Sequence, residues 1–268
     1  MDLLKRGISP LTDEAWAEID SRAKEILTAN LTARKFVNVL GPKGWDYGAV
    51  PIGRLDIKEK KNTGEMCYGI HTFQPLIETR IDFDMEIWEL DNINRGAKDI
   101  DLEPLEDAAK KSALFEEAAI YKGLEKAGIT GLSNGSSHDV IKFDKGDGEK
   151  LAVAISKAIT VLKESSVPSP YTMVANPSIW HTIMAYAKGY PLSRHINELL
   201  ENGEIIYSPT AEGAYIIPTN NEDLEMTIGQ DFCVGFERRE EETVKLFIAE
   251  SFTFRILDPD LIVRVMEK

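Results

Sequence analysis

The chain has 268 residues, 43% of them hydrophobic and 28% charged, an ordinary globular composition with apolar mass for one large core or two smaller ones. Lysine and arginine number 31 against 45 aspartates and glutamates, a formal net charge of −14, which excludes a general nucleic-acid binder because no basic surface is available to neutralise phosphates. No apolar run approaches the roughly 18–20 residues of a membrane span, the opening residues lack a secretory signal pattern, and Cys67 and Cys233 stand too far apart for CxxC chemistry, so a soluble cytoplasmic protein is expected.

The first element is a helix. Thr12 is placed to cap it, Asp13 and Glu14 complement its positive end, and Trp16, Ile19, Ala23, Ile26, Leu27 and Leu31 recur at helical spacing. Gly41-Pro42-Lys43-Gly44 follows as a turn cluster; no Gly-Lys-Ser/Thr and no helix start accompany it, so it is not a phosphate loop. From Val50 to Phe73 the pattern is a long hairpin: Val50, Ile52, Leu55 and Ile57 run into a charged tip, Lys58 to Gly64, and Met66, Tyr68 and Ile70 return. An isolated two-stranded hairpin is marginal in water, so a neighbouring subunit is expected to hold it.

Ile81, Phe83, Met85 and Ile87 then alternate with Asp82, Asp84, Glu86 and Trp88, which predicts a strand with one apolar and one acidic face. Three carboxylates on one face could attract a cation, but a solvated or partner-paired face is the ordinary meaning. Trp88 on that polar face, with Arg80, offers a stacking platform for a flat ligand. Asp101 is read as the cap of a long helix carrying Leu105, Ala109, Phe115, Ala119 and Leu124 along one side and closed by Gly128.

Gly131 to Gly148 is rich in Gly, Ser and Asp, as at a boundary. Within it Gly131-Leu132-Ser133-Asn134-Gly135 matches the G-x-S-x-G pattern of serine hydrolases. A nucleophile elbow needs a buried strand before the serine, a helix after it, and an acid and a histidine downstream; here a helix precedes, a polar loop follows and His138 is five residues on, so a turn is favoured. From Glu149 to Asp223 helices and strands interleave: a helix through Leu151 and Leu162, a strand Tyr171 to Ala175, a helix opened by Asn176-Pro177 and stopped at Gly189, a short helix near Ile196 to Leu200, and strands at Ile205–Tyr207 and Tyr215–Ile217. His181 and His195 have no metal-ligand spacing, so no metal site is expected. Strands return after Met226, and those of both chain ends are expected to fold with the long helix around an inserted α/β domain.

At this point the sequence resembles the encapsulins, the prokaryotic nanocompartment shell proteins also labelled linocin-type bacteriocins. The matching stretches are Leu4-Lys5-Arg6 with Pro10-Leu11-Thr12, Ala33-Arg34-Lys35-Phe36-Val37, Gly41-Pro42 with Gly44-Trp45, Pro75-Leu76-Ile77-Glu78, Trp88-Glu89-Leu90-Asp91-Asn92, and Gly229-Gln230-Asp231 with Phe252-Thr253-Phe254, spread over the chain in order. The resemblance implies an α+β fold of the tailed-phage major capsid type (Hong Kong 97 type). Its expected divisions are a peripheral domain beginning at 1–47, an extended loop at 48–75, peripheral domain with spine helix at 76–130, an axial domain at 131–223 and peripheral strands at 224–268.

The function so implied is a self-assembling icosahedral shell of sixty copies in its smallest form, without catalytic residues of its own, enclosing a ferritin-like iron oxidase or dye-decolourising peroxidase captured by a C-terminal targeting peptide. The alternative class is a protease or bacteriocin using the serine motif at 131–135. By resemblance the cargo peptide lies between the first helix and a C-terminal strand, which points to Leu27, Leu31, Arg34 and Asn38 (the last two if the helix runs on) with Phe232, Val234 and Phe236. Lys188, Gly189 and Tyr190 are expected to line the fivefold pore, and the acidic row Asp82, Asp84 and Glu86 to draw in cations such as ferrous iron. No cofactor is required; the resemblance permits a flavin at Arg80 and Trp88.

Overall fold

The computed structural model describes residues 3–57, 66–186, 189–219 and 221–268; the expected hairpin tip, Lys58 to Gly64, and Lys188 lie outside the described residues. Helix α1 (Asp13–Asn30) starts where Thr12 accepts the Ala15 N–H at 3.2 Å, and buries Ala15, Trp16, Ile19, Ala23 and Leu27 on one stripe. It does not run on. Leu31 leaves helical geometry, Ala33–Lys35 forms a single 3-10 turn, and Asn38 opens strand β1 (Asn38–Leu40), drawn into a sheet by parallel pairing with residues 225–227. The placement of Asn38 on the helix side is therefore corrected: it is a strand residue opposite Glu225.

Strands β2 (Ala49–Asp56) and β3 (Ile70–Pro75) form the expected hairpin, with a bulge between Pro51 and Leu55 where Gly53 has φ +75°. Strand β4 (Ile77–Glu86) alternates as predicted but ends earlier, because its partner strand begins opposite Glu86 at Thr243. One further bond, from the Ile87 N–H to the Glu242 carbonyl at 2.9 Å, closes the pairing, and Ile87 and Trp88 turn into helix α2 (Ile87–Asn94), which buries Leu90. The spine helix α3 (Glu103–Tyr121) is shorter than the sequence pattern suggested. Asp101 accepts the Glu103 N–H at 3.0 Å, but the helix stops before Gly123, whose φ of +87° turns the chain into a miniature hairpin, β5 (Gly123–Leu124) and β6 (Ile129–Thr130). Phe115, expected on the buried side, is 44% exposed.

The α/β unit comprises β7 (Ile141–Phe143), α4 (Gly148–Glu164), β8 (Tyr171–Ala175), α5 (Pro177–Ala185), α6 (Leu192–Leu199), β9 (Ile205–Tyr207) and β10 (Ala214–Pro218). Asn176 caps α5 by accepting the Ile179 N–H, and that helix ends at Ala185 rather than Gly189. The chain then returns through β11 (Leu224–Ile228), β12 (Cys233–Arg239) and the 14-residue β13 (Thr243–Ile256), and finishes with β14 (Val263–Glu267).

Among the described residues two five-stranded sheets result. In the first, β13 is central: β4 lies along one edge from residue 243 to 252, while β12 and then β11 share the other, and β1 flanks β11. The second runs β7-β14-β10-β8-β9. The last strand thus belongs to the α/β sheet, which corrects the assignment of all of 224–268 to the peripheral strands: β14 bonds β10 and β7, not the first sheet. One core packs α1, α2 and α3 on the first sheet through Trp16, Ile19, Leu90, Leu105, Leu246 and Ile248; the other fills the α/β unit and reaches Tyr121, Phe252 and Phe254.

A Cβ on Gly123 would lie 2.7 Å from the Gly131 nitrogen and 2.8 Å from the Ile129 oxygen, whereas one on Gly96, also at φ +87°, would meet nothing within 4 Å. Gly96→Ala is expected to cost only the backbone strain of about 1 kcal/mol, and Gly123→Ala at least about 2 kcal/mol. Denaturant midpoints of the two variants measure the difference; equal losses would mean the miniature hairpin does not constrain the helix end.

Candidate functional site

Between α1 and β12 lies a groove of about 480 Å³. Its walls include Leu27 from α1, Leu31 just past its end, Phe232 just before β12, and Val234 and Ile248 from the sheet, with Arg6, Asp20, Lys24, Arg34 and Asp231 at its polar margins. Five of the residues expected from the sequence, Leu27, Leu31, Arg34, Phe232 and Val234, are brought together here. Phe236 is not among them; it sits further along β12 in the core, its N–H donating to the Leu4 carbonyl at 2.8 Å. Asn38 lies outside the groove lining, for the reason given above.

Arg6, Asp20, Lys24, Thr28 and Cys233 complete the lining and were not anticipated. The helical members were legible at spacings of three and four around Leu27. Arg6 was not, because a contact across 228 positions makes it a wall: its Nε donates to the Val234 carbonyl at 2.8 Å, its head pairs with Asp20 at 2.6 Å, and its plane covers Trp16 at 4.4 Å. Burial pushes the Cys233 thiol up to about 11, so it is an unreactive wall atom.

Behind the groove is a buried charge cluster. Arg34 bonds Glu116 at 2.6 Å, Glu250 at 2.6 Å and Asp231 at 2.9 Å, and its guanidinium lies 5.1 Å from the centre of the Phe232 ring. Glu116 and Glu250 are essentially inaccessible. Burial opposes the charge on Arg34, but Glu116, Glu250 and Asp231 together hold its proton more tightly than usual. Burial, with the neighbouring Glu116, raises Glu250 well above the ordinary carboxylate range, while Arg34 opposes that rise. Glu117, also fully buried, accepts from the Thr32 hydroxyl and from the Ala33 N–H at 2.7 Å; Thr32 in turn lies 3.0 Å from the Tyr121 hydroxyl. The sequence signal for these groups was present but unread: paired glutamates in the apolar stretch around Phe115 to Ile120, and Glu250 inside the apolar run of β13.

The remaining expected residues lie apart. Arg80 lies over the Phe247 ring at 3.7 Å and bonds Asp82 and Glu237, while Trp88, 70% exposed on α2, is covered by Arg95 at 5.4 Å. Six residues of strand, about 20 Å, separate Arg80 from the start of α2, so within one subunit the two do not form a flavin platform. Of the acidic row, Asp82 bonds Arg80, Asp84 lies 3.8 Å from Lys245, and Glu86 is exposed. Gly189 and Tyr190 are exposed ahead of α6, and the Tyr190 hydroxyl donates to Glu198 at 2.7 Å. Ser133 sits in a tight turn, its hydroxyl 2.8 Å from that of Tyr215, and the His138 ring bonds the Asp260 carbonyl instead of the serine. Among the described residues no group of His, Cys, Asp and Glu is arranged to hold a metal ion, and no helix is long and apolar enough to cross a membrane.

The exposed hairpin is the second unusual surface. Leu55, Ile57, Ile70 and Phe73 are each more than half exposed, although Gln74 at its base donates to the Gly128 carbonyl at 3.1 Å.

Comparison with known proteins places these features. The model of the family described as an encapsulating protein for peroxidase matches residues 1–253. The type 1 encapsulin shell protein of Rhodospirillum rubrum is 34% identical over 267 residues, covering 97% of this chain and 95% of that protein; that of Brevibacterium linens is 33% identical over 258 residues, covering 96% of each. Among solved structures, the virus-like particle from Pyrococcus furiosus covers 92% of this chain and 98% of its own with a TM-score of 0.65 at 18% identity. The capsid of Myoviridae phage XM1 covers 89% of this chain and 92% of its own with a TM-score of 0.54 at 13% identity. The fold is that of tailed-phage capsid proteins, the Hong Kong 97 type.

The buried carboxylates behind the groove make stability pH-dependent. Burial raises Glu117 from an ordinary value of 4.5 to about 7, against the hydrogen bonds from Thr32 and Ala33. The folded state then holds the proton more tightly than the unfolded one. The resulting penalty is absent below pH 4.5, grows as pH rises to 7 and is complete above it, at about 3 kcal/mol. Glu117→Gln keeps an acceptor for the Ala33 N–H and is expected to stabilise the subunit by up to that amount at pH 8 and by little at pH 5. Denaturant midpoints at both values measure it, and a difference that does not grow with pH contradicts the assignment.

Proposed function

This chain belongs to the encapsulin shell proteins, which are structural rather than catalytic and assemble into capsid-like homo-oligomeric particles around cargo, and from that premise we propose that it forms a closed cytoplasmic nanocompartment whose inner face captures a cargo enzyme through a short peptide. The observation that carries this reading is the pairing of two surfaces a lone subunit does not satisfy: the apolar groove beside α1 and the uncovered hairpin β2–β3.

The groove suits an extended apolar peptide. Its volume and mixed lining are those of a site for a few small or leucine-like side chains, each contributing about 1.5–3 kcal/mol on burial before ordering costs. Arg34 and Asp231 satisfy each other and the glutamates behind them, so Arg34 serves the groove by holding Phe232 rather than as a free charge. A single groove of this kind binds weakly. A multimeric cargo facing many copies gains through effective concentration, which makes a shell of sixty subunits a capture device. The description of the matching family names peroxidase as what it encapsulates, which favours a dye-decolourising peroxidase cargo over a ferritin-like one.

The loop carrying Gly189 and Tyr190 is proposed to meet its copies at the fivefold axis, with Gly189, at φ +79° and open on its Cβ side, leaving the opening wide. The β4 carboxylates add negative potential, moderated by Arg80 and Lys245.

Replacing Leu31 or Phe232 with Asp places a desolvated charge in the groove and is expected to yield shells that assemble but co-purify with little cargo. Full cargo in those shells moves the peptide site elsewhere. Leu55→Asp or Phe73→Asp changes only exposed side chains, so the subunit is expected to keep its circular dichroism and thermal midpoint while particle yield falls at least tenfold on size exclusion. A parent protein that runs as a monomer at micromolar concentration would falsify the shell reading itself.

A further inference from the structure

The two faces of the hairpin differ in a way that bears on assembly. Pro51 pairs with Phe73 and Leu55 with His71, and directly opposed residues of an antiparallel pair share a face. The His71 and Phe73 rings lie 6.4 Å apart on that face, and a Cβ at Gly69 would approach the Leu55 Cβ at 3.1 Å and Ile57 at 3.4 Å, so Ile57 belongs to it as well. The face is therefore Pro51, Leu55, Ile57 and Phe73 around one imidazole. Arg54 and Asp56, adjacent to Leu55, alternate to the opposite face, where Asp56 pairs with Ile70. No acidic side chain of the two strands stands on the His71 face to pair with a charge there, and Cys67 and Tyr68, its nearest titratable neighbours in the chain, precede β3.

Resting on the shell reading above, we propose that His71 makes the docking of this face against a second copy of the chain proton-sensitive: neutral, it is covered with the apolar residues around it; protonated, it opposes the contact. A second copy is the occupant because the family builds homo-oligomeric particles and the face is apolar, uncovered and displayed by a two-stranded ribbon that is marginal alone. A neutral imidazole can be buried with one hydrogen-bond partner, whereas an imidazolium on an apolar face must either lose its proton or leave its water uncompensated. Docking and protonation are therefore competing events. The imidazole is the side chain whose charge changes nearest neutrality, so the competition is read between neutral and mildly acid conditions. The device would let acidification loosen the shell without unfolding its subunits, since His71 lies outside both cores.

The experiment is sedimentation velocity of assembled shells from pH 8 to 5.5 for the parent, His71→Gln and His71→Lys. In the parent, each subunit contact is expected to weaken about tenfold per pH unit below the histidine range. Shells of His71→Gln should show no such dependence, and His71→Lys, permanently charged, should assemble poorly already at pH 8 while its monomer keeps the parent thermal midpoint. His138, His181, His195 and Glu117 are common to all three proteins, so their titration cancels in the comparison. Parallel weakening of parent and His71→Gln, a parent that stays assembled to pH 5.5, or normal assembly of His71→Lys each overturns the proposal while leaving the shell intact. A parent that forms no particle at pH 8 removes the shell reading and this inference with it.

Discussion

One guanidinium among three carboxylates ties together three elements that lie far apart in the chain. Arg34 lies in the short segment that passes from Leu31, in one core, to Ala33 and Phe36, in the other, and it ties that segment to the spine helix through Glu116, to the central strand through Glu250 and to the groove wall through Asp231. Ion pairs at the surface contribute little, and buried ones are expensive to desolvate, but removing one member of a buried set leaves an uncompensated charge and typically destabilises by about 3–5 kcal/mol. The arrangement therefore specifies geometry more than it adds stability. Arg34 joins α3 and β13 to the turn that follows α1, and the same side chain forms one margin of the groove.

The same logic links the two sheets. β13 is long enough to serve both cores, burying Leu246 and Ile248 in one and Phe252 and Phe254 in the other, so the units share a strand rather than an interface. The chain's buried polar contacts cluster along this seam: Glu117 with Thr32, Tyr121 near Tyr215, and Ser133 with Tyr215. The hairpin shares neither core.

Elements with a local cause were legible in the sequence. Thr12 and Asn176 cap their helices as their residue types require, and the strand at Tyr171–Ala175 has the predicted limits because an apolar run and a following Asn-Pro delimit it. What failed depended on partners distant in the chain. The alternation of β4 carries past Glu86 on paper, but the strand ends where β13 has no residue left to pair. The spine helix keeps its apolar spacing beyond Tyr121, but Gly123 packs against Gly131 and reverses the chain. The groove was found through α1 and β12 and missed at Arg6, Asp20 and Lys24, because a resemblance transfers named positions and not the charged rim around them. Asn38 failed for the plainest reason: a helix was extended through a turn that pairing with β11 enforces.

β14 is the strand on which the second sheet depends. This strand, the last element of the chain, lies between β7 and β10 inside the second sheet, where Val263 and Val265 are fully buried. Until it arrives, the β7 strand has no partner and β10 presents an open edge, so the sheet that residues 141–218 encode cannot close by itself. Its pairing with β7 joins residues more than a hundred positions apart, a contact whose loop entropy must be overcome before it forms. One strand therefore seals the second sheet, and whatever loosens β14 leaves the β10 edge open to pairing with another chain.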